Sequence, residues 1–307
     1  LVKQRIERYF FKPNSIDRVI ALLLLPLMLL YCLIMLIRFV SMRPRKMGMP
    51  IISVGNLTMG GSGKTPFTIA IASHREGVAV VLRGYGRTSS GTLVVSAWGE
   101  IACEVAQSGD EAMLLAQQLP HATVIVAHNR QEGIAKVLEM GAKVLFLDDG
   151  YSKHSIKKLD IILRESKRAY LPLCLPSGPY REPLWWGKKA LIVEENRDFR
   201  RSVAIANPTQ RMVLVTAIAK PWRLDEYLPD DVVAKHYFLD HHAFTYEELH
   251  ALFIDEAATS LLVTQKDAVK MATFGIPLSI MELSLEIQPP VIEAIDNYIR
   301  SYDATKN

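Results

Sequence analysis

Apolar residues fall into two rhythms along this chain. Between Arg18 and Arg38, nineteen consecutive residues, VIALLLLPLMLLYCLIMLI, carry no charge. As a helix this stretch measures about 28 Å, close to the ~30 Å of a bilayer's hydrocarbon core. After Pro50 the rhythm changes to short β-branched runs: IISVGN (51–56), VAVVLR (78–83), TLVVSA (92–97), TVIVA (123–127), KVLFLDD (143–149), DIILRE (160–165) and ALIVEE (190–195). Helix-like segments over 64–74, 109–118 and 130–140 separate several of them. Strands alternating with helices predict a parallel sheet covered on both faces. A second set of apolar runs follows Asn207-Pro208, at 211–219, 236–240 and 261–264, with a closing helix over 290–302. The chain therefore divides into a hydrophobic N-terminal segment (1–46), a larger α/β unit (47–207) and a smaller α/β unit (208–307).

The uncharged run has no polar face, and no small-residue cleavage site follows it; Met42, Arg43, Pro44 and Arg45 come instead. This predicts a retained, membrane-associated helix rather than a core helix or a signal peptide. Basic residues flank both ends, so there is little inside–outside bias, and Pro26 permits a bend. Both features suit an anchor sunk into one anionic leaflet, with inner-membrane lipids as partners. The overall charge of +4 changes meaning in this light. Residues 1–46 carry +7 and the remainder −3, so the body is slightly acidic and no nucleic-acid surface is expected. Cys32, Cys103 and Cys174 lie far apart and form neither a disulfide framework nor a Cys-based metal site.

The sequence IISVGNLTMGGSGKTPF places an apolar strand, a glycine-rich turn and then Lys64-Thr65 at a helix start. Backbone N–H groups of such a turn face phosphates, and glycines let the chain approach them. Gly60, Gly61, Ser62, Gly63, Lys64 and Thr65 are the candidate phosphate loop. Lys64 would reach the β- and γ-phosphates of ATP, and the Thr65 hydroxyl would hold Mg²⁺. The strict motif wants glycine where Thr58 stands. An acidic Mg²⁺ partner is expected at the end of a neighbouring buried strand, and KVLFLDDG offers Asp148 and Asp149. The predicted fold class is α/β: a P-loop NTPase-like α/β/α sandwich, a second, smaller α/β domain and an N-terminal membrane-associated helix. The guanine-reading pattern of GTPases is missed, since in LLVTQKD the lysine comes one place late.

A phosphate loop does not name a reaction. The ordered set SVGNLTMGGSGKTP (53–66), RGYGR (83–87), GDEA (109–112), LDDG (147–150), LPSGPYREP (175–183), the DHH of 240–242 and VTQKDAVK (263–270) resembles the tetraacyldisaccharide 4'-kinase family of lipid A biosynthesis over essentially the whole chain. That family's loop is of the GNLTxGGxGKT type, which accounts for Thr58. The resemblance implies two α/β/α domains joined by a β-ribbon with the active site between them. It implies ATP- and Mg²⁺-dependent phosphorylation of the 4'-hydroxyl of a tetraacylated glucosamine disaccharide 1-phosphate, giving lipid IVA at the cytoplasmic face of a Gram-negative inner membrane. Two alternatives stay open: a P-loop kinase for another lipid or sugar, and a membrane-tethered ATPase or switch.

From the residues alone, Asp110 reads either as a helix N-cap or as a general base. The resemblance assigns it as the catalytic base, acting with His241. Arg181 suits charge stabilisation of the transferring phosphoryl group, and Glu182 reads as a second Mg²⁺ ligand beside Asp149. Arg83, Tyr85 and Arg87 combine two cations with an aromatic face, which suits a sugar phosphate. DDG is followed in the family by Phe-Gln-His; here Tyr151, Ser152 and Lys153 follow and His154 comes one place late.

Overall fold

The computed structural model describes residues 2–59, 63–164 and 172–304. Three helices open the chain: α1 (Val2–Phe11), α2 (Ser15–Leu23) and α3 (Leu25–Ser41). Asn14 caps α2 in a reciprocal box with Asp17, at 2.8 and 3.0 Å. The nineteen-residue run expected as one helix is broken at Leu24, because Pro26 has no N–H to continue the ladder and opens a new helix instead. The two axes meet at 55°. Among the described residues no single helix is long and apolar enough to cross a membrane; the bent α2–α3 pair is, by length and composition. The apolar side chains of α3 stay exposed along its length, from Leu27 to Val40.

The larger unit is built from β1 (Ile51–Gly55), α4 (Lys64–Ala72), β2 (Val78–Leu82), β3 (Thr92–Ala97), β4 (Glu100–Ile101), α5 (Val105–Ser108), α6 (Asp110–Gln118), β5 (Thr123–Ala127), α7 (Arg130–Glu139), β6 (Val144–Asp148), β7 (Leu159–Arg164) and β8 (Ala190–Glu194). Its eight strands run in the order β4-β3-β5-β2-β6-β1-β7-β8. All are parallel from β5 to β8, while β3 and β4 form an antiparallel edge. β1, β2, β5 and β6 are buried at every position, as their unbroken apolar runs require. Phe67 and Ile71 of α4 pack on one face with Leu115 of α6, and Ile134 and Val137 of α7 cover the other. β1 and β6 are central neighbours, so the turn after β1 and Asp148-Asp149 after β6 emerge side by side. That crevice is where parallel α/β sheets place ligands.

The second sheet contains β9 (Phe199–Ala206), β10 (Met212–Thr216), β11 (Val232–Tyr237), β12 (Ser260–Thr264) and β13 (Leu278–Ile287), in the order β11-β10-β12-β13-β9. α8 (Tyr246–Asp255) and α9 (Gln265–Met271) cover one face through Leu249 and Met271. β9 precedes residue 207, yet it is the antiparallel edge strand of this second sheet, paired with β13 over eight residues. The closing helix α10 (Pro289–Ala304) returns to the first unit, where Val291 and Ile295 join Phe67 and Phe199. An apolar seam of Met113 and Leu114 on α6 against Val269 on α9 holds the two units face to face.

Candidate active site

The site is a cleft of about 730 Å³ between the two sheets. One wall carries Gly63, Lys64, Thr65, Asp148, Asp149 and Arg181; Asp240, His241 and Lys266 line the other. Gly60, Gly61 and Ser62 of the expected phosphate loop lie outside the described residues. Gly63 sits just before α4 with φ +78°, a left-handed conformation that favours glycine, and Lys64 and Thr65 open the helix.

Asp110 is the first residue of α6, not its cap. The N-cap place belongs to Gly109, with φ +86° and no capping side chain. A Cβ on Gly109 would lie 2.7 Å from the Tyr85 carbonyl oxygen, so glycine lets the RGYGR loop press against this turn. Asp110 accepts the Glu111 N–H at 2.9 Å and is otherwise turned toward the second unit. There Nδ1 of His241 stands 3.0 Å from each of its carboxylate oxygens. His241 has φ +63°, in the turn after β11 that follows Phe238. Two cations complete the setting, Lys266 Nζ at 3.8 Å and Lys270 Nζ at 3.9 Å from Asp110. Burial pushes the Asp110 carboxyl up, but the His241 hydrogen bond and the charges of Lys266 and Lys270 outweigh it and hold it below its ordinary value. The same hydrogen bond raises His241 against burial and the Lys266 charge. The pair is thus biased toward carboxylate and imidazolium.

The phosphate-facing wall has its own network. Arg181 grips Asp149 through two parallel hydrogen bonds of 2.8 and 2.9 Å and reaches the Asn56 side-chain oxygen at 2.7 Å. Lys64 Nζ donates to the same Asn56 oxygen at 3.3 Å. Burial raises Asp149, and the Arg181 hydrogen bonds and the Lys64 charge bring it below its ordinary value. Asp148 is pushed up to about 7, by burial first, with Glu111 and Asp149 adding and Lys64 opposing. Its Oδ1 is buried with no hydrogen-bond partner.

Two expected site residues are placed elsewhere. Glu182 is turned away from the cleft into the interior, where it bonds His154 Nε2 at 2.9 Å and Trp185 Nε1 at 3.2 Å. Arg87 closes its own loop by donating to the carbonyls of Gly91 (2.5 Å) and Val126 (3.4 Å). Tyr85 lines the cleft, and Arg83 stands beside it, its guanidinium 3.2 Å from the Tyr85 hydroxyl and 3.2 Å from His128 Nε2. His242 bonds Glu248 at 2.9 Å and stacks on Phe238.

Sequence reasoning missed Asn56, Arg201 and Lys266. Asn56 follows β1 directly, and its side chain ties two cations together. Arg201 comes from β9 and lies so near Gly63 that a Cβ there would be 3.1 Å from its guanidinium. Lys266 was visible only as part of VTQKDAVK. The following Asp267 is fully buried and accepts from Thr216 Oγ1 at 2.7 Å, Thr264 Oγ1 at 2.8 Å and Ala217 N–H at 3.2 Å. It clamps α9 to β10, which fixes Lys266 and Lys270 over Asp110 and leaves no carboxylate free to read a guanine.

The chain is similar to known proteins over most of its length. The family model described as tetraacyldisaccharide-1-P 4'-kinase matches residues 20–210 and 195–300. A tetraacyldisaccharide 4'-kinase of Helicobacter pylori is 46% identical over 301 residues, spanning 98% of this chain and 96% of that one. One from Campylobacter jejuni is 43% identical over 300 residues, spanning 97% and 96%. The crystal structure of LpxK from Aquifex aeolicus in complex with ATP superposes with a TM-score of 0.73 at 24% identity, covering 91% of this chain and 99% of that one, and shares its fold. By sequence over nearly its whole length, the chain belongs to the tetraacyldisaccharide 4'-kinase family of lipid A biosynthesis.

Proposed function

We propose that the chain transfers the γ-phosphoryl group of ATP to the 4'-hydroxyl of tetraacyldisaccharide 1-phosphate, giving lipid IVA, with Asp110 as the general base. The observation that carries this reading is the Asp110–His241 pair, drawn from two different sheets and opening on a cleft whose far wall holds Lys64, Thr65 and Arg181. A sugar hydroxyl is a weak nucleophile, and the transition state of phosphoryl transfer is loose, so positioning and charge neutralisation do most of the work. Asp110, held ionised, accepts the hydroxyl proton as its oxygen attacks the γ-phosphorus. His241 holds that carboxylate in orientation from the second unit. Lys64 and Arg181 face the charge spread over the transferring group, Arg181 with a planar fork matched to phosphate oxygens. Tyr85 at the cleft, with Arg83 beside it, receives the acceptor.

The residues present fit Mg²⁺. Among the described residues no three His, Cys, Asp or Glu side chains converge as a closed metal cage. Magnesium, however, is bound through one or two carboxylates plus substrate phosphates, and the unpartnered buried oxygen of Asp148 is suited to a hard cation. Thr65, Asp148 and Asp149 would hold the ion, which supplies charge neutralisation at the phosphates. Glu182, committed to His154, has no part in this set.

The lobe that carries Lys64 also carries Asp110, and the second lobe brings His241 to it. The bent α2–α3 pair anchors them at the cytoplasmic face of a Gram-negative inner membrane, its basic flanks meeting anionic headgroups at about 1 kcal/mol each. The test is transfer of label from γ-labelled ATP to the acylated disaccharide in mixed micelles. Labelled lipid should form, and Lys64→Ala should abolish it. Release of label to water at a rate the acceptor does not change would instead favour the ATPase or switch reading.

A further inference from the structure

The loop after Arg181 runs along the N-terminal helix. The Tyr31 hydroxyl on α3 donates to the Arg181 carbonyl at 2.6 Å. Further on, Trp185 stacks on Phe39 of α3, ring centroids 5.2 Å apart and planes 7° from parallel. From Tyr31 to Phe39 is about 12 Å of helix, so the loop follows much of the exposed apolar face. Its tip then breaks the usual rule for large apolar side chains. Trp186 is 100% exposed and Leu184 is 40% exposed, beside exposed Lys189. Gly187, at φ +80° with nothing near its α-carbon, forms the turn.

We propose that the loop 184–189 is a second membrane contact, with Trp186 inserting at the headgroup level of an anionic lipid surface. The occupant follows from continuity and depth. Trp186 directly follows Trp185, which stacks on Phe39 near the end of α3, and Arg38, Arg43 and Arg45 lie within six residues of Phe39 in the sequence. An amphipathic ring flanked by cations belongs at the boundary between hydrocarbon and headgroups. The helix that this loop follows exposes leucines and isoleucines of its own. Because the loop begins at Arg181, this contact places the phosphate-facing wall of the cleft at a fixed height above the lipid. The inference rests on α2–α3 being the membrane anchor.

The experiment compares the full chain with Trp186→Ser on vesicles of phosphatidylethanolamine and phosphatidylglycerol whose acyl chains are brominated near the headgroup. Tryptophan emission of the native chain should be quenched, and Trp186→Ser should lose at least half of that quenching. The variant should raise the KM for acceptor in mixed micelles by about threefold to tenfold, with kcat, the KM for ATP and Tm unchanged. Equal quenching in both proteins, or an unchanged acceptor KM, overturns the loop contact while leaving the anchor standing. A native chain that does not bind the vesicles overturns the anchor reading itself, and this inference with it. Dimerisation in lipid-free buffer that Trp186→Ser abolishes would assign the surface to a second copy of the chain and overturn the proposal as well.

Discussion

Among the molecule's histidine–carboxylate pairs, two of nearly equal length make the sharpest contrast, His241–Asp110 at 3.0 Å and His154–Glu182 at 2.9 Å. Their surroundings make them opposites. His154 is buried and both its nitrogens are used: Nε2 meets Glu182, and Nδ1 lies 3.0 Å from Lys188 Nζ. An ammonium group only donates, so Nδ1 accepts, the ring is neutral and its proton points at Glu182. Lys188 goes on to Asp160 at 3.2 Å, Asp160 pairs with Lys158 at 3.1 Å, and burial lowers Lys188 to about 8. None of these groups lines the cleft. His241, its side chain 27% exposed, lines the cleft, with its Nε2 3.8 Å from Asp240. Pair chemistry alone therefore does not mark a reactive site; an unfilled space beside the pair does.

Four expected outcomes test that contrast. The largest is Asp110→Asn, which should lower kcat by about 10²–10⁴ with the KM for ATP and Tm near native. A kcat within threefold of native would return Asp110 to a structural role. Next, His241→Ala should lower kcat about 10- to 10²-fold, the smaller loss expected of a group that orients the base rather than replaces it. Glu182→Gln should do the reverse, costing about 1–3 kcal/mol of stability in an unfolding experiment while leaving kcat and its Mg²⁺ dependence close to native. A shifted Mg²⁺ requirement would restore Glu182 as a metal ligand. The smallest effect is in pH. His241 is raised in the fold, so its contribution is complete below about pH 6.5 and fades as pH rises through its folded value. Asp110 is lowered, so its contribution is complete above about pH 4 and fades as pH falls through its folded value. The Tm gap between native and His241→Ala should be widest between those limits and narrow by pH 9; a gap that stays constant would remove the charge from the pair.

The buried strands of the first sheet were legible because unbroken apolar runs admit few other arrangements, and β1, β2, β3, β5, β6, β7 and β8 fall within a residue or two of the runs that announce them. β9 and β13 were not. Their sequences, FRRSVAIA and LSIMELSLEI, alternate because one side of each faces the cleft or solvent, and alternation interrupted by arginine and glutamate reads weakly as a strand. Of the residues that motif order singled out, Lys64, Thr65, Asp148, Asp149, Arg181 and His241 line the cleft, with Asp110 bonded to His241. Motif order could not say which way a side chain turns, and that is where Glu182 and Arg87 were misread. Lys266 required the tertiary fold, since its position over Asp110 depends on Asp267 binding the end of β10.

The chain enters the second sheet along β9 and leaves it along β13, and these two strands are bonded to one another over eight residues. Both covalent passages between the units are therefore one ribbon, which works mechanically as a single-leaf hinge. Sliding would break the register, so any motion of one unit against the other that keeps the ribbon intact must bend it and swing His241 relative to Asp110. An acceptor that requires the assembled pair would wait on that swing, and stiffening the ribbon would slow turnover without touching a reacting atom.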